Sequence, residues 1–495
     1  MNSGIFLGID HGGSTTTAVI FDPERGKLAS ASVRMPKSMP GVGLVEHHPD
    51  DFVKTSLASA QAALGKAGLA WSDVQGIGIA NQGETSMAWS AETGEPIGPA
   101  LSWEDKRTDE ICRELAGRGV DALVRSRTGV ILDPYFSASK FKWLKKNAGA
   151  AGALRFGGTD AYLMHRLTAG ATYATEPGTA SRTALFNIHS LMWDLDLLDA
   201  FSISEEELPA IRPSCGEYGV ARHEGLGAAA VPILANVVDA HAALFAQGCH
   251  DGSSVKATYG TGAFIEVNTG PRFDPPDGNL PVFVAWELAG KTDFTLEGGV
   301  FSVGSAIDWA IRVGLAPSAE ALADLAASVS DSGGVWMVPS LSGLSAPHWQ
   351  PSARGSLTGF GLDTGSGHIV RALLDGIAFQ CADIIKALNA RSGGMVQEIR
   401  ADGGPTRNSY LMQRQADLLA MPVSVSLEPD MTGLGAAMLA AVGAGQMTVD
   451  DAKSLHVDRR IYEPSLSSDE SEMLWAEWDR QVRDVVQRAS DGRRK

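Results

Sequence analysis

The sequence predicts an α/β protein of two domains, and three observations carry that prediction. The chain has 495 residues, more than one core usually serves. It opens with two short strands joined by a glycine turn, residues 4–10 and 14–22, and it repeats that design half-way along, over residues 255–268. Segments of helical periodicity follow each hairpin, so strands and helices alternate through both halves. The repeat sets the expected boundaries at residues 1–248 for an N-terminal domain and 249–495 for a C-terminal domain.

The first apolar run ends on Asp10 and turns at Gly12-Gly13; the next is rich in β-branched residues and stops at Pro23, which together read as a hairpin. Residues 136–146 read as a helix. Val231 to Val238 is an apolar run that ends at Asp239, either a buried strand or the start of a helix. In the second half, Ile369, Leu373, Ile377, Ile384, Ile385 and Leu388 recur at helical spacing, and Arg391-Ser-Gly-Gly394 supplies the stop. A strand through Ile399 ends at Asp402-Gly-Gly404, and residues 408–419 read as a helix. Strand, glycine turn and helix suit phosphate binding, because glycine lets the backbone approach and the helix start offers N–H groups.

Hydrophobic residues make up 44% of the chain and charged residues 20%, the composition of a globular protein without long disordered stretches. The 41 basic and 58 acidic residues give a formal charge of −17, which repels nucleic acid and anionic membranes, so neither is an expected partner. Cys112, Cys215, Cys249 and Cys381 are scattered and suggest neither a metal knuckle nor a redox pair. Met1 to Gly4 leads into the first strand without the basic and apolar regions of a secretory signal. The longest apolar stretch, near Leu434 to Gly445, is rich in Gly and Ala and falls short of the roughly 18 residues a membrane span needs. A cytoplasmic location is expected.

Asp10 with Gly12-Gly13-Ser14-Thr15-Thr16 sets a carboxylate beside amides and hydroxyls, the groups that hold magnesium and phosphate oxygens. Alone, the segment is equally a turn that needs small residues. Similar strand ends recur at Tyr259 to Gly262 and Asp402 to Gly404, and the recurrence favours a nucleotide phosphate site. Two other phosphate cradles are missing. Ala289-Gly290-Lys291-Thr292 has the tail of a Walker A loop but Ala285 where its first glycine belongs, and no dinucleotide fingerprint follows any strand. A carboxylate at Asp239 is either hydrogen-bonded in the core or chemically employed, and read alone it is more often structural; His241 carries the same two readings. Glu84 stands just past the apolar run Gly76 to Ala80, where strand ends line ligand sites. Tyr135-Phe-Ser-Ala-Ser-Lys-Phe-Lys-Trp143 sets aromatic and basic residues on one helix, which suits a sugar site better than nucleic acid in so acidic a chain.

Tyr135 to Trp143 matches one signature of the FGGY carbohydrate kinases, and Gly355-Ser-Leu-Thr-Gly-Phe360 continued through His368 to Asp375 matches the other. Ala180 to His189, Thr258-Tyr-Gly-Thr-Gly262 and Gly343 to Trp349 add to a resemblance that covers nearly the whole chain and is strongest to the glycerol kinases. It implies two ribonuclease-H/actin-like domains flanking a deep catalytic cleft, ATP and Mg2+, a small polyol or sugar as acceptor, and a homodimer or homotetramer. By similarity Asp10 belongs to the metal site. Ser14, Thr15, Thr261, Gly262, Gly304, Gly404 and Asn408 belong to the nucleotide, and Glu84, Trp103, Tyr135, Asp239 and Phe264 to the acceptor, with Asp239 as catalytic base.

The chain departs from its resemblance at Gly83, where the glycerol kinases carry a substrate-binding arginine. Loss of that guanidinium removes donors and is expected to open space, which a polyol longer than glycerol would fill. Thr17 stands for a basic residue of the first phosphate loop, and Asp308 for an amide near the adenine. Asp239-Ala-His241 resembles the ketopentose kinases of the ribulokinase and xylulokinase type, which keeps a pentulose acceptor as an alternative. No effector loop for fructose bisphosphate precedes Pro232. An actin- or Hsp70-like ATP switch and a binding-only pseudokinase are the other readings. The acceptor residues count against the first, and Asp10 with Asp239 against the second.

Overall fold

The computed structural model describes residues 4–149, 152–272 and 280–492, so Met1, Asn2 and Ser3, read above as the lead into the first strand, lie outside the described residues. The chain forms two compact units. One comprises residues 1–250, 270–295 and 430–456, and the other residues 251–269, 296–429 and 457–495.

The first unit is built on a sheet of six strands: β1 (Ile5–His11), β2 (Thr15–Asp22), β3 (Gly26–Arg34), β4 (Val74–Asn81), β5 (Cys215–Ala221) and β6 (Val231–Val238), in the order β5-β6-β4-β1-β2-β3. β1, β2 and β3 are antiparallel, while β4 lies parallel to β1 and β6 parallel to β4. Both faces are covered, which is why β4 and β6 read as nearly continuous apolar runs. Helix Pro49–Ala67 packs on β2 and β3. Proline at its first position, Asp50 and Asp51 in its first turn and left-handed Gly68 after its end fix its limits.

Helix Met431–Gly443 covers the opposite face, against β1, β4 and β6. This is the Gly/Ala-rich stretch that read as the longest apolar segment, and it is a core helix. Its backbone touches the sheet: a Cβ on Gly78 of β4 would stand 1.9 Å from the carbonyl oxygen of Ala436. No described helix is long and apolar enough to cross a membrane.

The second unit repeats the plan with β7 (Ser254–Tyr259), β8 (Ala263–Gly270), β9 (Glu398–Asp402), β10 (Val423–Ser426) and β11 (Arg459–Tyr462), in the order β8-β7-β9-β10-β11. β8 is antiparallel to β7, and β9 and β10 follow in parallel, the same sequence of pairings as β2-β1-β4-β6. The duplicated hairpins therefore mark two copies of one fold. Helix Ser366–Arg391, which contains the predicted apolar face, and helix Ser409–Leu419 pack together in this unit.

Candidate active site

Register across the first sheet brings the ends of three strands together. Asp10 pairs with Ala80, and Val238 pairs with Asn81, so the chain leaves β1, β4 and β6 side by side carrying Asp10, Glu84 and Asp239. Carboxyl ends of parallel strands are where α/β sheets expose groups to ligands. Asp239 is both things the sequence allowed: it follows strand β6 and is the first residue of helix Asp239–Ala246. Its Oδ1 accepts from the N–H of Ala240 at 2.6 Å.

The Asp10 carboxyl is held well above the usual carboxylate range, chiefly by burial and then by the charges of Asp239 and Asp430. Asp430 was not found from the sequence. It stands immediately before helix Met431–Gly443, more than 400 residues from Asp10 in the chain, and it also bonds Lys27 at 2.9 Å. No compact His, Cys, Asp and Glu cluster of metal-binding form occurs among the described residues. Asp239 and Asp430 are nonetheless near enough for their charges to act on Asp10, and carboxylate oxygens are the donors a hard divalent cation takes.

Ser14, in the turn after β1, and Thr15, the first residue of β2, lie exposed. A cavity of about 430 Å³ is lined by Ser14, Arg34, Met35, Pro36 and Lys37, so positive charge reaches the turn after β1 from the end of β3 although Thr17 has none. Thr17 itself bonds the hydroxyl of Ser32 at 3.0 Å. A Cβ on Gly13 would stand 3.8 Å from Nε1 of Trp103, which puts the turn beside a residue expected at the acceptor.

Trp103 and Tyr135 meet edge to face, ring centroids 5.9 Å apart. Helix Ser137–Asn147 carries Lys140, which is fully buried and donates to the carbonyl oxygens of Glu84, at 3.2 Å, and Tyr135. Burial lowers this ammonium to about 7 against the opposing charge of Glu84. Lys140 thus pins the backbones of Glu84 and Tyr135, both expected at the acceptor, a role its place in the aromatic signature did not reveal.

Glu84 is buried, and its Oε1 accepts from Nη1 of Arg182 at 2.9 Å. The second terminal nitrogen of Arg182 lies 3.2 Å from Nε2 of His241, and its guanidinium stacks 4.0 Å above the ring of Phe283. This corrects the expectation for Gly83. A Cβ built there would stand 2.4 Å from Cδ of Arg182, so the space is filled and a guanidinium is present after all, brought by another segment.

Buried hydrogen bonds fix that segment. Asn81 Nδ2 donates to Thr179 Oγ1 and to Val237 O, both at 3.0 Å, and Thr179 Oγ1 donates to Glu176 at 2.9 Å. Glu176 also accepts from Gly178 N and Ser214 Oγ. The ends of β4 and β6 and the approach to Arg182 are thereby locked in one network.

In the second unit, the turn between β7 and β8 holds Thr261 and Gly262, and helix Gly304–Arg312 begins on it: Gly304 N donates to Gly260 O at 3.0 Å and Val303 N to Thr261 O at 2.9 Å. Thr258 pairs with Asp402, setting the turn after β9 beside the first. Gly403 has φ +97°, and a Cβ there would stand 2.0 Å from Tyr259 O, so only glycine fits. Thr261, Gly262, Gly304 and Gly404 are in this way gathered in one place. Asn408 caps helix Ser409–Leu419 by accepting from Leu411 N at 2.9 Å, and its buried Nδ2 has no hydrogen-bond partner among the described residues. Phe264, half-exposed on β8, belongs to this unit, whereas Glu84, Trp103, Tyr135 and Asp239, the other residues expected at the acceptor, belong to the first. Asp308 is exposed on helix Gly304–Arg312.

Two family models match in succession, the FGGY carbohydrate kinase N-terminal domain over residues 5–246 and its C-terminal domain over 255–444. The chain belongs to the FGGY family of carbohydrate kinases. Among FGGY relatives, the glycerol kinase of Citrifermentans bemidjiense is 42% identical over 486 residues, 96% of this chain and 98% of that one. The glycerol kinase of Polaromonas naphthalenivorans is 40% identical over 494 residues, 97% of this chain and 99% of that one. A crystal structure of Plasmodium falciparum glycerol kinase with ADP superposes with TM-score 0.91 at 29% identity, covering 98% of both chains. Xylulose kinase from Rhodospirillum rubrum, at 23% identity and TM-score 0.87, shares the fold, with 98% of this chain and all of that one covered. This FGGY chain is accordingly a carbohydrate kinase with the paired ribonuclease-H/actin-like fold expected of it.

Proposed function

We propose that this kinase transfers the terminal phosphoryl group of ATP to a hydroxyl of glycerol, with Asp239 as general base. The observation that carries the reading is the grouping of Asp10, Glu84 and Asp239 at adjoining strand ends of one sheet. Its relatives over the full length are named glycerol kinases.

In this reading Glu84 accepts a hydrogen bond from one acceptor hydroxyl, and Trp103 and Tyr135 pack against the carbon chain. Asp239 takes the proton of the attacking hydroxyl as its oxygen bonds phosphorus, the bridging oxygen leaves with ADP, and the proton remains on the carboxyl group. Ser14, Thr15, Thr261, Gly262, Gly304 and Gly404 offer backbone amides and hydroxyls to the phosphates, and Asn408 has a donor to spare. Phe264 completes the acceptor set. Magnesium, when bound, neutralises charge on the phosphates, and Asp10 is the residue that would hold it. The filled space at Gly83 supports a three-carbon acceptor over a longer one.

The test is ADP release by the wild type over glycerol, erythritol, pentitols and ketopentoses. Glycerol is expected to give the highest kcat/KM. A ketopentose ahead of glycerol would establish the alternative suggested by Asp239-Ala-His241, and no stimulation by any acceptor would reject a kinase acting on these compounds.

A further inference from the structure

Every acceptor residue assigned so far touches substrate in its proposed role, yet the buried carboxylate of Glu84 needs something to hold it in one orientation. An isolated buried carboxylate is costly, and a guanidinium is the side chain best shaped to offset it. Arg182 supplies one. It reaches Glu84 from a segment 98 residues away, with one terminal nitrogen on Oε1 at 2.9 Å and the other 3.2 Å from the His241 ring, while Phe283 lies under its face. Arg182 and Glu84 are both almost wholly buried. The guanidinium is therefore held from three sides, and the carboxylate takes its orientation from it.

Arg182 follows this course only because position 83 has no side chain. Its Cδ passes 2.4 Å from where a Cβ on residue 83 would be, closer than real contacts allow, and the Arg182 Cβ would be 3.5 Å away. A side chain at 83 would have to displace Arg182 or be displaced by it.

We propose that Arg182 is the positioning residue of the acceptor site, orienting Glu84, and that Gly83 sets acceptor affinity by admitting it. The inference rests on the reading of Glu84 as an acceptor-binding group. A plain core role for Arg182 would make its loss a matter of stability; a positioning role makes Arg182 and Gly83 energetically coupled and confines their effect to the acceptor.

The test compares the wild type with Gly83→Ala, Arg182→Ala, Arg182→Lys and the double variant Gly83→Ala/Arg182→Ala, measuring KM for glycerol, KM for ATP, kcat and melting temperature. Gly83→Ala and Arg182→Ala are each expected to raise the glycerol KM roughly 10–100-fold while the ATP KM stays within about twofold. The double variant is expected to be no worse than Arg182→Ala, because the side chain at 182 then stops at Cβ and the added methyl has no Cδ left to displace. Arg182→Lys keeps a positive charge without the planar fork, so it should remain impaired, and it takes the place of Arg182→Ala in the comparison of KM values should that variant not fold. A glycerol KM unchanged in Gly83→Ala, or additive effects in the double variant, would overturn the inference while leaving the kinase reading intact. A wild type that releases no ADP with any acceptor would overturn both.

Discussion

Arg182 Nη1 and Glu84 Oε1 stand 2.9 Å apart, with both side chains almost excluded from solvent. Removing either partner from a buried pair leaves an uncompensated charge, which costs more than the pair itself contributes. Glu84→Gln is expected to destabilise the protein by about 3 kcal/mol, read from urea denaturation. It should also lower kcat/KM for glycerol by roughly 10²-fold through the lost charged acceptor. Retention of wild-type kcat/KM would remove Glu84 from the acceptor site.

Asp239→Asn keeps shape and hydrogen-bonding capacity and loses the base. A positioned general base is worth about 10²–10⁴-fold. The variant should lose that much in kcat while the ATP KM changes little, and a coupled ADP-release assay decides it. A fully active Asn variant would assign the proton to another group.

Asn408 has a capping oxygen and an Nδ2 donor unpartnered among the described residues, which substitution can separate. Asn408→Asp retains the oxygen that accepts from Leu411 N and removes the Nδ2 donor. Its ATP KM should rise about tenfold with little change in melting temperature, since the helix cap survives. Asn408→Ala should raise the KM similarly and cost about 1 kcal/mol of stability besides. If Asn408→Asp leaves the ATP KM unaltered, the Nδ2 group does not meet the nucleotide.

Much of the fold was legible because its signals are local. β-branched runs closed by glycine marked both hairpins, and apolar spacing marked helix Ser366–Arg391. The positions of Asp10, Glu84 and Asp239 were legible for the same reason, each standing where an apolar run ends. Arg182, Lys140 and Asp430 were not. Their places depend on contacts across 98, 56 and more than 400 residues of chain, and no periodicity encodes such distances. Gly83 misled because a missing side chain shows in the sequence, whereas the group that fills its place shows only in the fold.

The close seating of helix Met431–Gly443 makes a strong contrast between two glycines. Gly78→Ala would press a methyl against the Ala436 carbonyl, and overpacking of this kind is expected to cost about 3 kcal/mol, with a lower urea midpoint. Gly65, on helix Pro49–Ala67, has nothing within 4 Å of its missing Cβ, so Gly65→Ala should stabilise the protein by about 0.5–1 kcal/mol and raise the midpoint. Equal effects at the two positions would contradict the described packing.

Glu176 makes part of the stability pH-dependent. Burial raises its carboxyl from 4.5 to about 7, although hydrogen bonds from Gly178, Thr179 and Ser214 work in the opposite direction. Between those two values the folded chain holds a proton that the unfolded chain has released. The contribution of this group is therefore fully present below about pH 4.5, is lost as pH rises to about 7, and is constant above that. The loss is at most about 3 kcal/mol over the interval. Glu176→Gln cannot titrate and should flatten the dependence of the urea midpoint between pH 5 and pH 8, whatever its effect on the absolute value. Parallel profiles for wild type and variant would show that Glu176 is ionised throughout. A flattened profile would place a protonated carboxyl in the network that joins Thr179 to Asn81, and so behind the strand ends that carry Glu84 and Asp239.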